Sequence, residues 1–183
     1  NFIGGIDELI PNDIPENIDG IDYPDHGELW TTALDYELLE DKIAVFGKLE
    51  LSGLYYKKTI SLEDNSPLIN IQYIIRNESI SIRNFLWKLH AALRIEGGDK
   101  LITDAKKAKV VDPDYSRFKM LNEFIWPDIE NTNASLVPEK NNTKDFFYLY
   151  DIDTPQMGVE RNQGNHLFIY SYDINISLDP QFR

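Results

Sequence analysis

The order of apolar and polar positions reads as β-structure along most of the chain. In residues 42–51, Ile43, Val45, Leu49 and Leu51 alternate with Phe46, Lys48 and Glu50. Ser52-Gly53 then marks a tight turn and residues 54–62 alternate again, the pattern of a hairpin. A second turn signal, Glu63-Asp64-Asn65-Ser66-Pro67, leads into residues 68–76, where Ile69, Ile71, Tyr73 and Ile75 share one face. Three consecutive antiparallel strands are predicted. Beyond the turn Asn77-Glu78-Ser79, residues 84–95 show the clearest period of two. Phe85, Trp87, Leu89, Ala91, Leu93 and Ile95 fall on a core face, and Leu86, Lys88, His90, Ala92 and Arg94 on a polar one. A helix would scatter Lys88, His90 and Arg94 around its cylinder, so the strand is preferred.

Further strands are predicted at residues 108–112, 145–151, 156–161 and 166–176. Residues 4–27, rich in Asp, Pro, Gly and Asn, show no sustained period and read as a long ordered loop, a kind of segment that usually carries function. Residues 115–142 read as an irregular excursion with one helical turn around residues 118–123. Many short strands with turn signals between them, and little helix, predict an all-β chain folded as a single antiparallel β-sandwich domain. The chain opens on Asn1 rather than Met and stops just after a strand-like run, so it is expected to be a piece of a longer protein, truncated at both ends.

Composition narrows the chemistry. Apolar residues make up 42% of the 183 and aromatics 12%, too many for a disordered chain. No apolar run approaches the roughly 20 residues of a membrane span. A formal net charge of −13 repels phosphate backbones and anionic lipid heads, so neither nucleic acid nor membrane is an expected partner. The absence of cysteine removes disulfides and thiolate chemistry and agrees with a reducing compartment, the cytoplasm. Acid–base work falls to histidines and carboxylates.

Three histidines occur: His26, His90 and His166. His26 lies in Asp25-His26-Gly27-Glu28-Leu29-Trp30, where Gly27 allows close approach of backbone or ligand. By residue type alone it is equally a surface histidine in a turn, His90 a hydrogen-bonded residue on a solvated sheet face, and His166 a strand-edge residue. No His-Glu-x-x-His or EF-hand spacing is present, so no metal is expected; no phosphate loop or GxSxG motif is present either. No cofactor is expected.

Taken in order, these segments resemble the aldose 1-epimerase (galactose mutarotase-like) family. Gly4-Gly5-Ile6-Asp7-Glu8-Leu9-Ile10-Pro11-Asn12 is similar to the loop that precedes the family's first active-site histidine, and Asp25-His26-Gly27-Glu28-Leu29-Trp30 to that histidine's own motif. Arg76-Asn77-Glu78-Ser79 followed by Phe85-Leu86-Trp87-Lys88-Leu89-His90 has the order and spacing of the strand bearing the second. The resemblance implies one mutarotase-like domain over residues 1–183, with residues 1–27 as active-site loop, 42–111 and 145–176 as strands and 115–142 as the excursion. It implies a small-molecule sugar as partner, with His90 as the acid that protonates the ring oxygen and His26 hydrogen-bonded to sugar hydroxyls. Asp145 lies about where the family places a hydroxyl-binding Asp, and Trp30 is favoured over Trp87 as a stacking platform. Lys88 and Arg94, on the face of His90, are further sugar-binding candidates. Ala91-Ala92-Leu93 stands where typical galactose mutarotases have Tyr-Phe-Asn-Leu, and the family's catalytic glutamate is expected beyond Arg183; Glu28 does not match its position. A non-catalytic carbohydrate-binding sandwich is the rival reading, and the sequence sets no oligomeric state.

Overall fold

The alternating segments form strands. A computed structural model, describing residues 5–119, 122–161 and 166–172, is all-β and sandwich-like, with several antiparallel sheets, none closed into a barrel. Among the described residues the one helical element is a single 3-10 turn, Glu28–Thr31. Among the described residues no helix is long and apolar enough to cross a membrane. Two compact units divide the chain, Asn1–Leu93 and Arg94–Arg183.

In the first unit, β1 (Gly5–Leu9) is followed by a small ribbon, β2 (Glu16–Ile18) and β3 (Ile21–Tyr23). Then come β4 (Asp35–Leu38), β5 (Lys42–Leu49), β6 (Leu54–Leu62) and β7 (Ile69–Asn77), hydrogen-bonded in that order as one antiparallel sheet. The strands β5, β6 and β7 match the predicted meander. Last comes β8 (Lys88–Ala92), which pairs antiparallel with β1. The segment expected to be a loop thus contains three strands, and β1 is not legible because its ladder partner lies far along the chain, where local pattern carries no sign of it. The same pairing explains why β8 is shorter than the alternating run: only the five residues opposite β1 gain a ladder.

One face of β6 and β7 receives β1. Tyr56, Lys58, Tyr73 and Ile75 share that face, with Lys58 paired to Tyr73 and Tyr56 to Ile75. Glu8, only 6% exposed, accepts hydrogen bonds there from the Tyr56 hydroxyl (3.1 Å), the Lys58 Nζ (2.8 Å) and the Tyr73 hydroxyl (2.5 Å). Three donors, one cationic, are what a buried carboxylate needs to remain favourable. Burial first, then the charge and hydrogen bond of Glu8, push the Tyr56 pKa well above its ordinary value, so that hydroxyl stays a donor. Beside this cluster Ile10, Leu29, Leu49, Leu54 and Tyr56 make the apolar core. Phe85, Trp87 and Leu93, expected on a core face, stay 44%, 38% and 37% exposed.

The second unit holds β9 (Lys100–Ile102), β10 (Lys107–Val110), β11 (Glu123–Ile125), β12 (Asp128–Ile129), β13 (Thr132–Asn133), β14 (Phe147–Tyr150), β15 (Gln156–Arg161) and β16 (His166–Ser171). They form the sheets β11-β10-β14 and β16-β15-β9 and the ribbon β12-β13. The excursion supplies much of this unit's core: Phe118, Phe124, Trp126, Ile129 and Ala134 are buried with Ala105, Ala108 and Val110. Its strands of two or three residues are too short to show a period, which is why it read as irregular. The helical turn expected at residues 118–123 lies partly outside the described residues, and Glu123 opens a strand. The strand expected to run to residue 176 is described only to Ser171.

Glu28 is spent on structure. It is 3% exposed, and its carboxylate accepts the backbone N–H groups of Leu51 (2.8 Å) and Ser52 (3.0 Å) and the Ser52 hydroxyl, closing the turn between β5 and β6. Replacing it strands those donors. Glu28→Ala is expected to lower the unfolding free energy in urea by about 3 kcal/mol; a change below about 0.5 kcal/mol, the level of an ordinary surface substitution, would contradict this role.

Candidate functional site

The site starts from the segment that leaves β1. The Ile10 carbonyl accepts the Leu29 N–H (3.4 Å), the Pro11 carbonyl the Leu86 N–H (2.7 Å) and the Asp13 carbonyl the His26 N–H (3.0 Å). Asn12, fully buried, donates from Nδ2 to the carbonyls of Ile14 and Pro24, both at 2.8 Å. The Asp13 carboxylate meets Lys88 Nζ at 2.8 Å. Residues 10–14 therefore bind the His26 turn on one side and the approach to β8 on the other.

Backbone geometry places His26. It adopts a left-handed conformation, φ 65°, and Gly27 follows with φ 80°. A β-carbon on Gly27 would lie 2.2 Å from the Ile10 carbonyl oxygen, so only glycine lets the turn approach β1's end this closely. His26 Nδ1 lies 2.9 Å from an Asp25 carboxylate oxygen, which leaves Nε2 for another partner.

His26 and His90, far apart in sequence, come together in this first unit. Their ring centroids are 6.4 Å apart and nearly perpendicular, at 79°. Trp30, 45% exposed, lies against His26 with centroids 4.4 Å apart and planes at 35°. Both imidazoles are half-buried. His90 pairs directly with Asp7 across the β1–β8 ladder, and Lys88, two residues away, shares its face. Chemically, the arrangement offers two imidazoles, an amine, carboxylates and a partly open indole face.

Trp87 packs its ring edge-on against Tyr73, with centroids 4.9 Å apart. Arg94 and Asp145 belong to the second unit. Arg94 pairs with Glu96 at 3.0 Å, and Asp145 accepts from the Ser116 hydroxyl (2.8 Å), the Arg117 N–H (2.9 Å) and Arg117 Nε (2.6 Å). Within that unit His166 lines a cavity of about 640 Å³ together with Glu96, Asp99, Arg161 and Phe168. Arg161 there meets Asp99 at 3.1 Å and Glu96 at 3.6 Å. Among the described residues no group of three or more His, Asp and Glu side chains is gathered so as to hold a metal ion.

Asp7, Glu8, Asn12 and Asp13 escaped the sequence reading as site-forming residues. One signal was present: Ile6, Glu8 and Ile10 alternate with Asp7 and Leu9, a strand period hidden among glycine, proline and acidic residues. Comparison with protein-family models, with curated proteins and with solved structures gives no match.

Two outcomes follow from this geometry. Asn12→Ala removes the bonds to the Ile14 and Pro24 carbonyls, the second of which is one of the ties of the His26 turn, and is expected to cost about 2 kcal/mol in urea unfolding, with a change in Trp30 fluorescence as its contact with His26 loosens. An unchanged emission spectrum would separate Asn12 from the site. For Asp145, burial alone would raise the pKa, but the Arg117 N–H, the Ser116 hydroxyl and the Arg117 guanidinium hold it below the ordinary value. Its stabilising contribution is present above the unfolded value of about 3.9 and is lost as pH falls through the folded value. Asp145→Asn is expected to flatten the loss of stability below about pH 4, measured by urea unfolding at a series of pH values.

Proposed function

We propose that this chain binds a hexose beside His26 and His90 and interconverts its α and β anomers by acid–base ring opening, the reaction of aldose 1-epimerases. The observation that carries the reading is the meeting of the two imidazoles, 6.4 Å apart, with the partly exposed Trp30 against His26. At that separation both can hydrogen-bond one pyranose. His90 gives a proton to the ring oxygen as the bond to C1 breaks, and takes it back on closure; an imidazole moves protons in both directions near neutral pH. His26, oriented by Asp25, donates or accepts at a sugar hydroxyl through Nε2. Trp30 offers its indole to the apolar face of the ring. Lys88, held by Asp13, adds a donor on the His90 face. The reading makes the protein a cofactor-independent cytoplasmic isomerase whose partner is a small sugar rather than nucleic acid.

Proton NMR of freshly dissolved α-glucose and α-galactose measures the rate of anomer exchange directly. The chain is expected to accelerate it for at least one hexose, and His90→Asn to lower kcat/KM at least 100-fold, the scale of a lost general acid. Saturable hexose binding with no acceleration would instead make the chain a carbohydrate-binding module. Equal rates in the wild type and in both His90→Asn and His26→Asn would remove the histidines from function.

A further inference from the structure

Ring opening needs a base as well as an acid, and the carboxylates near the two histidines are not equally available. Glu8 is held by Tyr56, Lys58 and Tyr73; Glu28 by Leu51 and Ser52; Asp13 by Lys88; Asp25 by His26. Asp7 differs. Its Oδ2 is buried and has no hydrogen-bond partner among the described residues. A buried acceptor without a donor is costly, and a bound hydroxyl relieves that cost. Asp7 is also the residue directly opposite His90 in the β1–β8 ladder, so both side chains leave the same face. Paired residues there have β-carbons about 5 Å apart.

We propose that Asp7 is the catalytic base that works with His90 on the anomeric centre, an inference that rests on the hexose-epimerising reading above. The anomeric hydroxyl and the ring oxygen are both bonded to C1, so the groups that serve them must be neighbours, as Asp7 and His90 are. The Asp7 carboxylate takes the proton of the hydroxyl, and the electron pair of that O–H bond becomes the second bond of the C1 carbonyl. The bond from C1 to the ring oxygen breaks, its pair moves to that oxygen, and protonated His90 delivers a proton there. The open-chain aldehyde turns about its C1–C2 bond, and closure reverses each transfer. Asp7 and His90 end as they began, and no oxidant, reductant or co-reactant is consumed.

The test compares anomer exchange and hexose affinity in the same chain with Asp7 varied. Asp7→Asn keeps size and polarity but cannot take the proton; it is expected to lower kcat at least 100-fold with hexose affinity changed by less than about threefold. Asp7→Glu, which keeps a carboxylate and moves it by one methylene, is expected to lower kcat about tenfold at unchanged affinity, and it carries the test should the Asn variant not fold. Added formate is expected to restore part of the rate to Asp7→Ala. Wild-type kcat in Asp7→Asn or Asp7→Glu overturns the inference, and so does a loss of affinity as large as the loss of rate, which would make Asp7 a binding residue only. A wild-type chain that speeds exchange of no hexose overturns the proposed function and this inference together, whereas an active wild type with an indifferent Asp7 overturns this inference alone.

Discussion

What the first unit depends on is the short segment that follows β1. Three backbone carbonyl groups, those of Ile10, Pro11 and Asp13, and two side chains, those of Asn12 and Asp13, tie together the turn that carries His26 and the strand that carries His90. Neither tie is local. The turn is reached within about a dozen residues, but β8 lies far along the chain, and the loop-closure entropy of bringing it to β1 must be offset by the contacts that form there. Fully buried Ile10 and Asn12 mark where that offset comes from: one contributes apolar burial, the other satisfies two carbonyl groups that would otherwise be left without donors.

Beneath this junction the protein uses charge in its interior. Glu8 and Glu28 are both nearly inaccessible, and both would be expensive there without partners. Each is instead surrounded by donors from β6, β7 or the turn between β5 and β6, so each carboxylate specifies one position for the element that bears it. Glu8 fixes the face of β1 that meets the sheet, and the strand's period of two then dictates that Asp7 points the other way, to the side of His90. Glu28 fixes the 3-10 turn that holds Trp30 beside His26. The acidic composition is thus not all solvated surface; part of it sets the register on which the site rests.

The sequence was legible where order is local. The meander of β5, β6 and β7 follows from alternation between clear turn residues, each strand finding its partner a turn away, and β15 falls where its pattern placed it. His26, His90 and Trp30 could be singled out by residue type and motif order, and they lie together. Legibility failed where partners are distant or elements brief. β1 was hidden because its ladder is made with residues some eighty positions on, and the β11 to β13 region because two or three residues cannot display a period although Phe124, Trp126 and Ile129 build a core. Buried acids were invisible for another reason: an Asp-Glu pair in a glycine- and proline-rich stretch carries no mark of which carboxylate faces inward.

The central claim is that two imidazoles brought together by the β1–β8 ladder serve a single sugar. A hexose titration followed by the carbon-bound imidazole protons of His26 and His90 in NMR examines it without requiring turnover. Both sets of resonances are expected to move together, along curves that share one dissociation constant. A sugar that moves one imidazole and leaves the other in place, or that moves neither at saturating concentration, would contradict the account.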